Sequence, residues 1–255
     1  MTVGRSLLAS GLVVACSGAP VLAQEASPVP STPPFLPEAA SPPAAPRPNV
    51  VVIYIDDVGP RTSSLWSDPA RTPDLARLAR EGIEFRHAVT STPLCGPSRA
   101  TLLTGQHSHE HTVTDNSIER FDPTTTLATR LHDVGYHTLL AGKYLNGLED
   151  QTPTATDVET YATGWSRFDV IWKRKTLGQG QFYDYKLWTR QGVKEKGRKP
   201  RDHSTYVVGT RLAKHIRKAP KDRPVLAVAS LASGHWPNTP MAWHRRAPEC
   251  ADMPG

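Results

Sequence analysis

Apolar positions along this chain follow two rhythms that alternate. Asn49 to Ile55 is a continuous β-branched run, Asn-Val-Val-Val-Ile-Tyr-Ile, the pattern of a strand buried on both faces, and it ends at Asp56-Asp57. Thr72-Pro73-Asp74 then supplies an N-cap, a first-turn proline and a first-turn acid, which predict a helix running to about Gly82 with Leu75, Leu78 and Ala79 as its apolar stripe. A second helix is predicted from about Thr125 to His132, stopped near Gly135, and Tyr136 to Ala141 returns as a strand before Gly142-Lys143. Val208, Leu212 and Ile216 recur at helical spacing between Thr205 and Lys218, and Pro224 to Leu231 is again an apolar strand. Strands alternating with helices predict an α/β fold: a mostly parallel central sheet with helices on both faces. In such a sheet ligands sit at the carboxyl ends of the strands. Asp56, Lys143 and His235 each follow a predicted strand closely.

Composition adds a leader to this picture. Arg5 precedes an apolar stretch from Leu7 to Ala15 that is too short to span a bilayer as a helix and reads as an export signal. Val21-Leu22-Ala23 has the small-residue pattern of ordinary signal-peptide cleavage, which makes residues 1–23 the signal. Val13-Val14-Ala15-Cys16 resembles a bacterial lipobox, and on that alternative the signal is residues 1–15 and Cys16 is lipidated. Secretion is the reading taken, a cell-surface lipoprotein the alternative, and a membrane is a partner only if Cys16 is lipidated. Residues 24–48 are rich in proline, alanine and serine, a composition that cannot bury enough apolar area to fold, and form a linker ahead of a domain at 49–255. Three cysteines, Cys16, Cys95 and Cys250, are too few for a disulfide framework.

The formal charge of +6 is concentrated. Between Lys173 and Arg223 there are 16 Lys and Arg against 4 Asp and Glu, so the rest of the chain is net acidic. That segment is either a solvated basic loop or a surface that attracts an anionic partner such as a sulfated polysaccharide through a screened field, with Lys196, Arg198 and Lys199 in its middle. It matches no nucleic-acid-binding motif, and export argues further against a nucleic-acid partner.

The candidate chemistry centres on Cys95-Gly96-Pro97-Ser98-Arg99, followed by Ala-Thr-Leu-Leu-Thr-Gly. Pro97 suits a first helical position, so the string predicts a helix that opens beside the thiol, with Arg99 one turn further on. Free backbone N–H groups, the helix dipole and Arg99 would all favour an anion there. Two adjacent carboxylates, Asp56 and Asp57, are costly after a buried strand unless a cation neutralises them; calcium suits paired carboxylates better than magnesium does, although magnesium also fits. Lys143 places an ammonium just past a strand, and His235 follows another in Ser233-Gly234-His235-Trp236-Pro237. His109 and His111 either line the mouth of a cleft or lie on the surface.

Taken together, these strings resemble the sulfatase family, whose fold is alkaline-phosphatase-like. The resemblance implies that Cys95 is oxidised after translation to formylglycine by a formylglycine-generating enzyme. It also implies that Asp56, Asp57 and the converted Cys95 hold the metal, and that Arg99, Lys143 and His235 contact the sulfate. One hydroxyl of the hydrated aldehyde attacks sulfur and the alcohol leaves; the second hydroxyl collapses back to the aldehyde and expels sulfate. Many members carry a histidine two places after the lysine, where this chain has Leu145. Gly142-Lys143-Tyr144-Leu145-Asn146 is the form associated with the N-acetylglucosamine-6-sulfatase branch, with Asn146 able to supply a polar contact instead. Thr104-Gly105 followed by His109 and His111, then Gly164-Trp165, Phe182-Tyr183-Asp184-Tyr185 and His203, point to the same branch.

Family members continue further, with a later Asp-Asn pair, a second lysine and a smaller C-terminal domain. No Asp-Asn segment follows His235, so the resemblance covers about residues 49 to 255 and corresponds to the N-terminal part of a sulfatase, a fragment or truncated product. The expected function is hydrolysis of a sulfate ester of a small molecule or glycan. Two alternatives stand beside it: a phosphodiesterase or phosphonate hydrolase of the same superfamily, and a non-catalytic exported protein that binds anionic glycans through its basic segment.

Overall fold

A computed structural model describes residues 47–58, 72–85, 87–148, 159–172, 181–235, 237 and 239–244. The predicted leader, its two processing sites, the linker and Cys250 lie outside these residues.

Six strands form one sheet: β1 (Val50–Tyr54), β2 (His137–Gly142), β3 (Arg167–Trp172), β4 (Lys186–Thr189), β5 (Gly192–Glu195) and β6 (Val225–Ser230). Their order is β1-β6-β2-β3-β4-β5. The pairs β1/β6, β6/β2 and β2/β3 are parallel, whereas β3, β4 and β5 run antiparallel as a meander. The helices are α1 (Pro73–Glu81), α2 (Cys95–Thr104), α3 (Ser108–His111), α4 (Leu127–Asp133) and α5 (Ser204–Lys218). The helices expected near 72–82, 95, 125–132 and 205–218, and the three expected strands, are all present within a few residues. The strands β3 to β5 are additions that the apolar pattern does not announce.

Alternation along the central strands sends neighbouring side chains to opposite faces. Leu140, Leu226, Val228, Phe168 and Val170 pack with Ala100 and Leu103 of α2 and Ala128 of α4. Leu139, Ala141, Ala227 and Ala229 pack on the other side against Val208 and Leu212 of α5. The helix-spaced apolar positions of α5 therefore face the sheet, as predicted. A capping box fastens α4, with the Thr129 backbone N–H donating to Thr126 Oγ1 and the Thr126 N–H to Thr129 Oγ1.

Two expectations are corrected here. The β1 strand is not buried on both faces: Val50 and Val52 join the α2-side core, while Val51 and Ile53 are 56% and 57% exposed. The physical reason is that α5 packs over β2 and β6, and among the described residues no element covers the same face of β1, which pairs with β6 at the sheet's edge. In α1 the buried residue is Ala76, and Leu78, expected in the apolar stripe, is exposed.

Candidate active site

The site assembles where the parallel strands end. β1 delivers Asp56 and Asp57, β2 delivers Lys143, and β6 ends at Ser230 shortly before His235. Two glycines make the close approach possible. At Gly142 (φ +124) a Cβ would stand 1.7 Å from the Ser230 carbonyl oxygen, and the Lys143 N–H donates to that same oxygen at 2.8 Å. At Gly234 (φ +97) a Cβ would stand 1.8 Å from the Asp56 carbonyl oxygen. Asp57 itself has φ 52, left-handed backbone that Asp tolerates better than most residues.

The helix α2 begins at Cys95 itself, with Leu94 in extended conformation ahead of it. Pro97 occupies the third helical position rather than the first. This is tolerated because the first four N–H groups of a helix have no intrahelical acceptor. Gly96 donates its N–H to Asn116 Oδ1 at 2.8 Å, and a Cβ there would meet the Asp115 carbonyl at 2.7 Å, so the start of the helix is pinned against the chain at 115–116.

One turn on, Arg99 is buried and makes the central contacts. Its Nη2 lies 3.1 Å from Asp56 Oδ1, and its Nη1 donates to Ser230 Oγ at 2.5 Å and to the Lys143 carbonyl at 3.0 Å. The guanidinium also lies 5.0 Å from the centroid of the Tyr54 ring, whose hydroxyl is 2.6 Å from Ser98 Oγ. Lys143 Nζ donates to Asp56 Oδ2 at 2.7 Å. A second string of contacts runs from Cys95 Sγ to Asp57 Oδ1 at 3.9 Å and from Asp57 Oδ2 to His235 Nε2 at 3.9 Å. Cys95, Arg99, Lys143, His235, Asp56 and Asp57 are thus brought together.

The electrostatics divide the two carboxylates. Burial alone would raise Asp56, but the Arg99 and Lys143 cations outweigh it and hold the carboxyl below its ordinary value. Cys95 goes the other way from the sequence expectation. Burial pushes its thiol up and the Asp56 and Asp57 carboxylates add to this, against opposition from Lys143 and Arg99. Burial and the two carboxylates brought in by β1 thus outweigh the pull of the neighbouring cations on the unconverted thiol.

Donor atoms of Asp56, Asp57 and Cys95 all lie within 4.8 Å of one another. Two carboxylates form a hard oxygen set that fits calcium or magnesium, whereas a thiol is a soft ligand; replacing it by an oxygen-bearing group would complete the fit. Arg99 Nε is buried without a hydrogen-bond partner among the described residues, a donor left for an anionic oxygen.

Other histidines have structural roles. His111 is buried, neither at a cleft mouth nor on the surface: its Nε2 is 3.1 Å from Thr101 Oγ1 and its Nδ1 accepts from the Val113 N–H. His109 is exposed and stacks on His107. His203 accepts from the Thr205 N–H at the start of α5. Asn146 Oδ1 is buried with no partner among the described residues. Tyr54 and Ser230 join the site without a sequence signal of their own beyond a polar atom at the carboxyl end of an apolar strand.

The sulfatase family model matches residues 48–252. This chain belongs to the sulfatase family. A sulfatase related to it, the N-acetylglucosamine-6-O-sulfatase of Bacteroides thetaiotaomicron, is 27% identical over 210 residues, which are 82% of this chain and 32% of that protein. The arylsulfatase of Klebsiella aerogenes is 30% identical over 78% of this chain and 46% of its own length. A structure solved in complex with its substrate D-glucosamine-2-N,6-O-disulfate superimposes with a TM-score of 0.62 at 25% identity, covering 78% of this chain and 37% of that one. The chain spans less than half the length of each of these proteins.

Proposed function

We propose that the chain hydrolyses sulfate esters of a sugar or glycan, with formylglycine made from Cys95 by a formylglycine-generating enzyme as its nucleophile. The observation that carries this reading is the convergence of the Cys-Gly-Pro-Ser-Arg helix start with Asp56, Asp57, Lys143 and His235 at one end of the sheet. Asp56, Asp57 and the converted residue 95 would hold a divalent cation, calcium in preference to magnesium. The ion would supply positive charge for the ester oxygens.

This chain's own side chains then divide the work. Arg99 is fixed by Ser230, the Lys143 carbonyl and Tyr54, so its charge is preorganised rather than recruited. Lys143, held against Asp56 just past the tight end of β2, would contact the ester's anionic oxygens. His235, beside Asp57, would contact the sulfate as well. The names of related sulfatases favour a glucosamine-type 6-sulfate as substrate. A relative named as an extracellular sulfatase, from Drosophila melanogaster, is 44% identical over 108 residues, 39% of this chain and 9% of that protein, and supports export; residues 1–23 would then be the signal and 24–48 the linker.

The test is sulfate release from N-acetylglucosamine-6-sulfate and from an aryl sulfate by protein produced with the converting enzyme and calcium. Turnover that disappears in Cys95→Ala, with an unchanged melting temperature, is the expected result. Equal turnover by Cys95→Ala, or hydrolysis of a phosphonate ester alone, would overturn the proposal.

A further inference from the structure

A second concentration of positive charge lies at the opposite end of the sheet. A cleft of about 360 Å³ is lined by His137, the first residue of β2, Arg167, the first of β3, Lys194 of β5, and Lys214 and Lys218 of α5. Arg211 and His215 also line it, but both are held by the buried Asp169 carboxylate at 2.6 Å. Arg167, Lys194, Lys214 and Lys218 have no carboxylate partner among the described residues.

Basic residues near a helix C-terminus often answer only the helix dipole. That accounts for Lys218, in the last turn of α5, but not for Lys214 one turn earlier, nor for Arg167, Lys194 and His137, which come from three strands and gain nothing from the dipole. Lys214 and Lys218 are moreover a like-charged i,i+4 pair, which costs stability in the absence of a counter-ion. His137 feels the same field: burial, then Arg223 and Arg167, hold its imidazole below the ordinary value. The cleft takes Lys194, Lys214 and Lys218 from the basic segment that the sequence singles out, whereas in the middle of that segment Lys196 pairs with Asp202 at 3.7 Å and Arg198 with Asp184.

We infer that this cleft is a second anion-binding site, distinct from the Cys95 cluster, which takes an acidic oligosaccharide. β2 joins the two sites, and at about 3.3 Å per residue its length sets Lys143 roughly 20 Å from His137, too far for both to hold one sulfate ester. Among the described residues no Phe, Tyr or Trp lines the cleft, and Gln191 offers an amide to sugar hydroxyls. The choice of an oligosaccharide rests on the sulfatase reading above; the unbalanced charge does not.

The experiment is calorimetric titration of a heparin-derived octasaccharide, and separately of inorganic sulfate, into the full chain carrying Cys95→Ala. The same titrations are made with Arg167→Gln, Lys194→Gln, Lys214→Gln and Lys218→Gln combined, and with Lys196, Arg198 and Lys199 neutralised instead. The cleft variant is expected to bind the octasaccharide about tenfold or more weaker, while the loop variant binds it like the parent. If the fourfold variant does not fold, Lys194→Glu with Lys218→Glu replaces it. Unchanged octasaccharide affinity in the cleft variants overturns the site, and equal affinity for inorganic sulfate overturns the oligosaccharide. Because the titrations use Cys95→Ala, loss of binding in the cleft variant supports this site even where the unaltered chain proves unable to cleave sulfate esters.

Discussion

Gly234 is the residue on which the position of His235 depends. Its left-handed φ lets the chain leave β6 against the Asp56 carbonyl, where no side chain fits. Gly234→Ala is therefore expected to lower stability by about 2 kcal/mol or more and to cut turnover, because both strain and a backbone clash must be absorbed next to the carboxylates. Gly105→Ala is the matched control, since Gly105 has φ +73 but open space around its Cβ, and about 1 kcal/mol with full turnover is expected. Denaturant unfolding midpoints and sulfate release check both. At this scale the sequence is most informative where residue type and chemistry coincide. Cys95, Arg99, Lys143, His235 and the paired aspartates are legible because each stands at a strand exit or a helix start. Tyr54 and Ser230 are hidden because their roles depend on which strands become neighbours. The upward push on the Cys95 thiol is hidden for the same reason, since the carboxylates that contribute to it come from β1.

Among the elements, α5 and β3 are joined by one buried carboxylate. Asp169 accepts from Arg211 Nε and His215 Nε2, and although burial would raise it, those two partners hold it below the ordinary carboxylate value. A carboxylate depressed in the folded state adds stability above its unfolded value and loses it as pH falls through the folded one. The stabilisation should therefore be complete above about pH 4 and disappear at more acid pH. Asp169→Asn is expected to cost about 2 kcal/mol at neutral pH, reduced from a fully buried pair by the partial exposure of Arg211 and His215, and to lose this share of the acid dependence. Thermal unfolding between pH 2 and pH 7 measures it; parallel curves for the two proteins would contradict it. The helices and central strands are readable from periodicity because their burial is one-sided or complete. The β3 to β5 meander is not, since Arg167 and Asp169 interrupt its apolar run and Gly192 to Glu195 is exposed throughout.

For the molecule as a whole, charge and topology sort the surface into two ends. The carboxyl ends of the parallel strands gather carboxylates, a thiol and fixed cations, and the opposite end gathers cations of which only Arg211 and His215 meet a carboxylate among the described residues. Alternating strands and helices are enough to predict the first, because an open parallel sheet always offers its carboxyl ends. The second is only half legible in the chain: Lys194, Lys214 and Lys218 belong to the basic segment at 173–223, but they meet Arg167 and His137 only through the sheet order. The central claim is that Cys95 is the precursor of the nucleophile. Mass spectrometry of the peptide containing Cys95, from exported protein made in a host that has the converting enzyme, tests it most directly. An aldehyde in place of the thiol is the predicted result; an unmodified cysteine in every copy would contradict it.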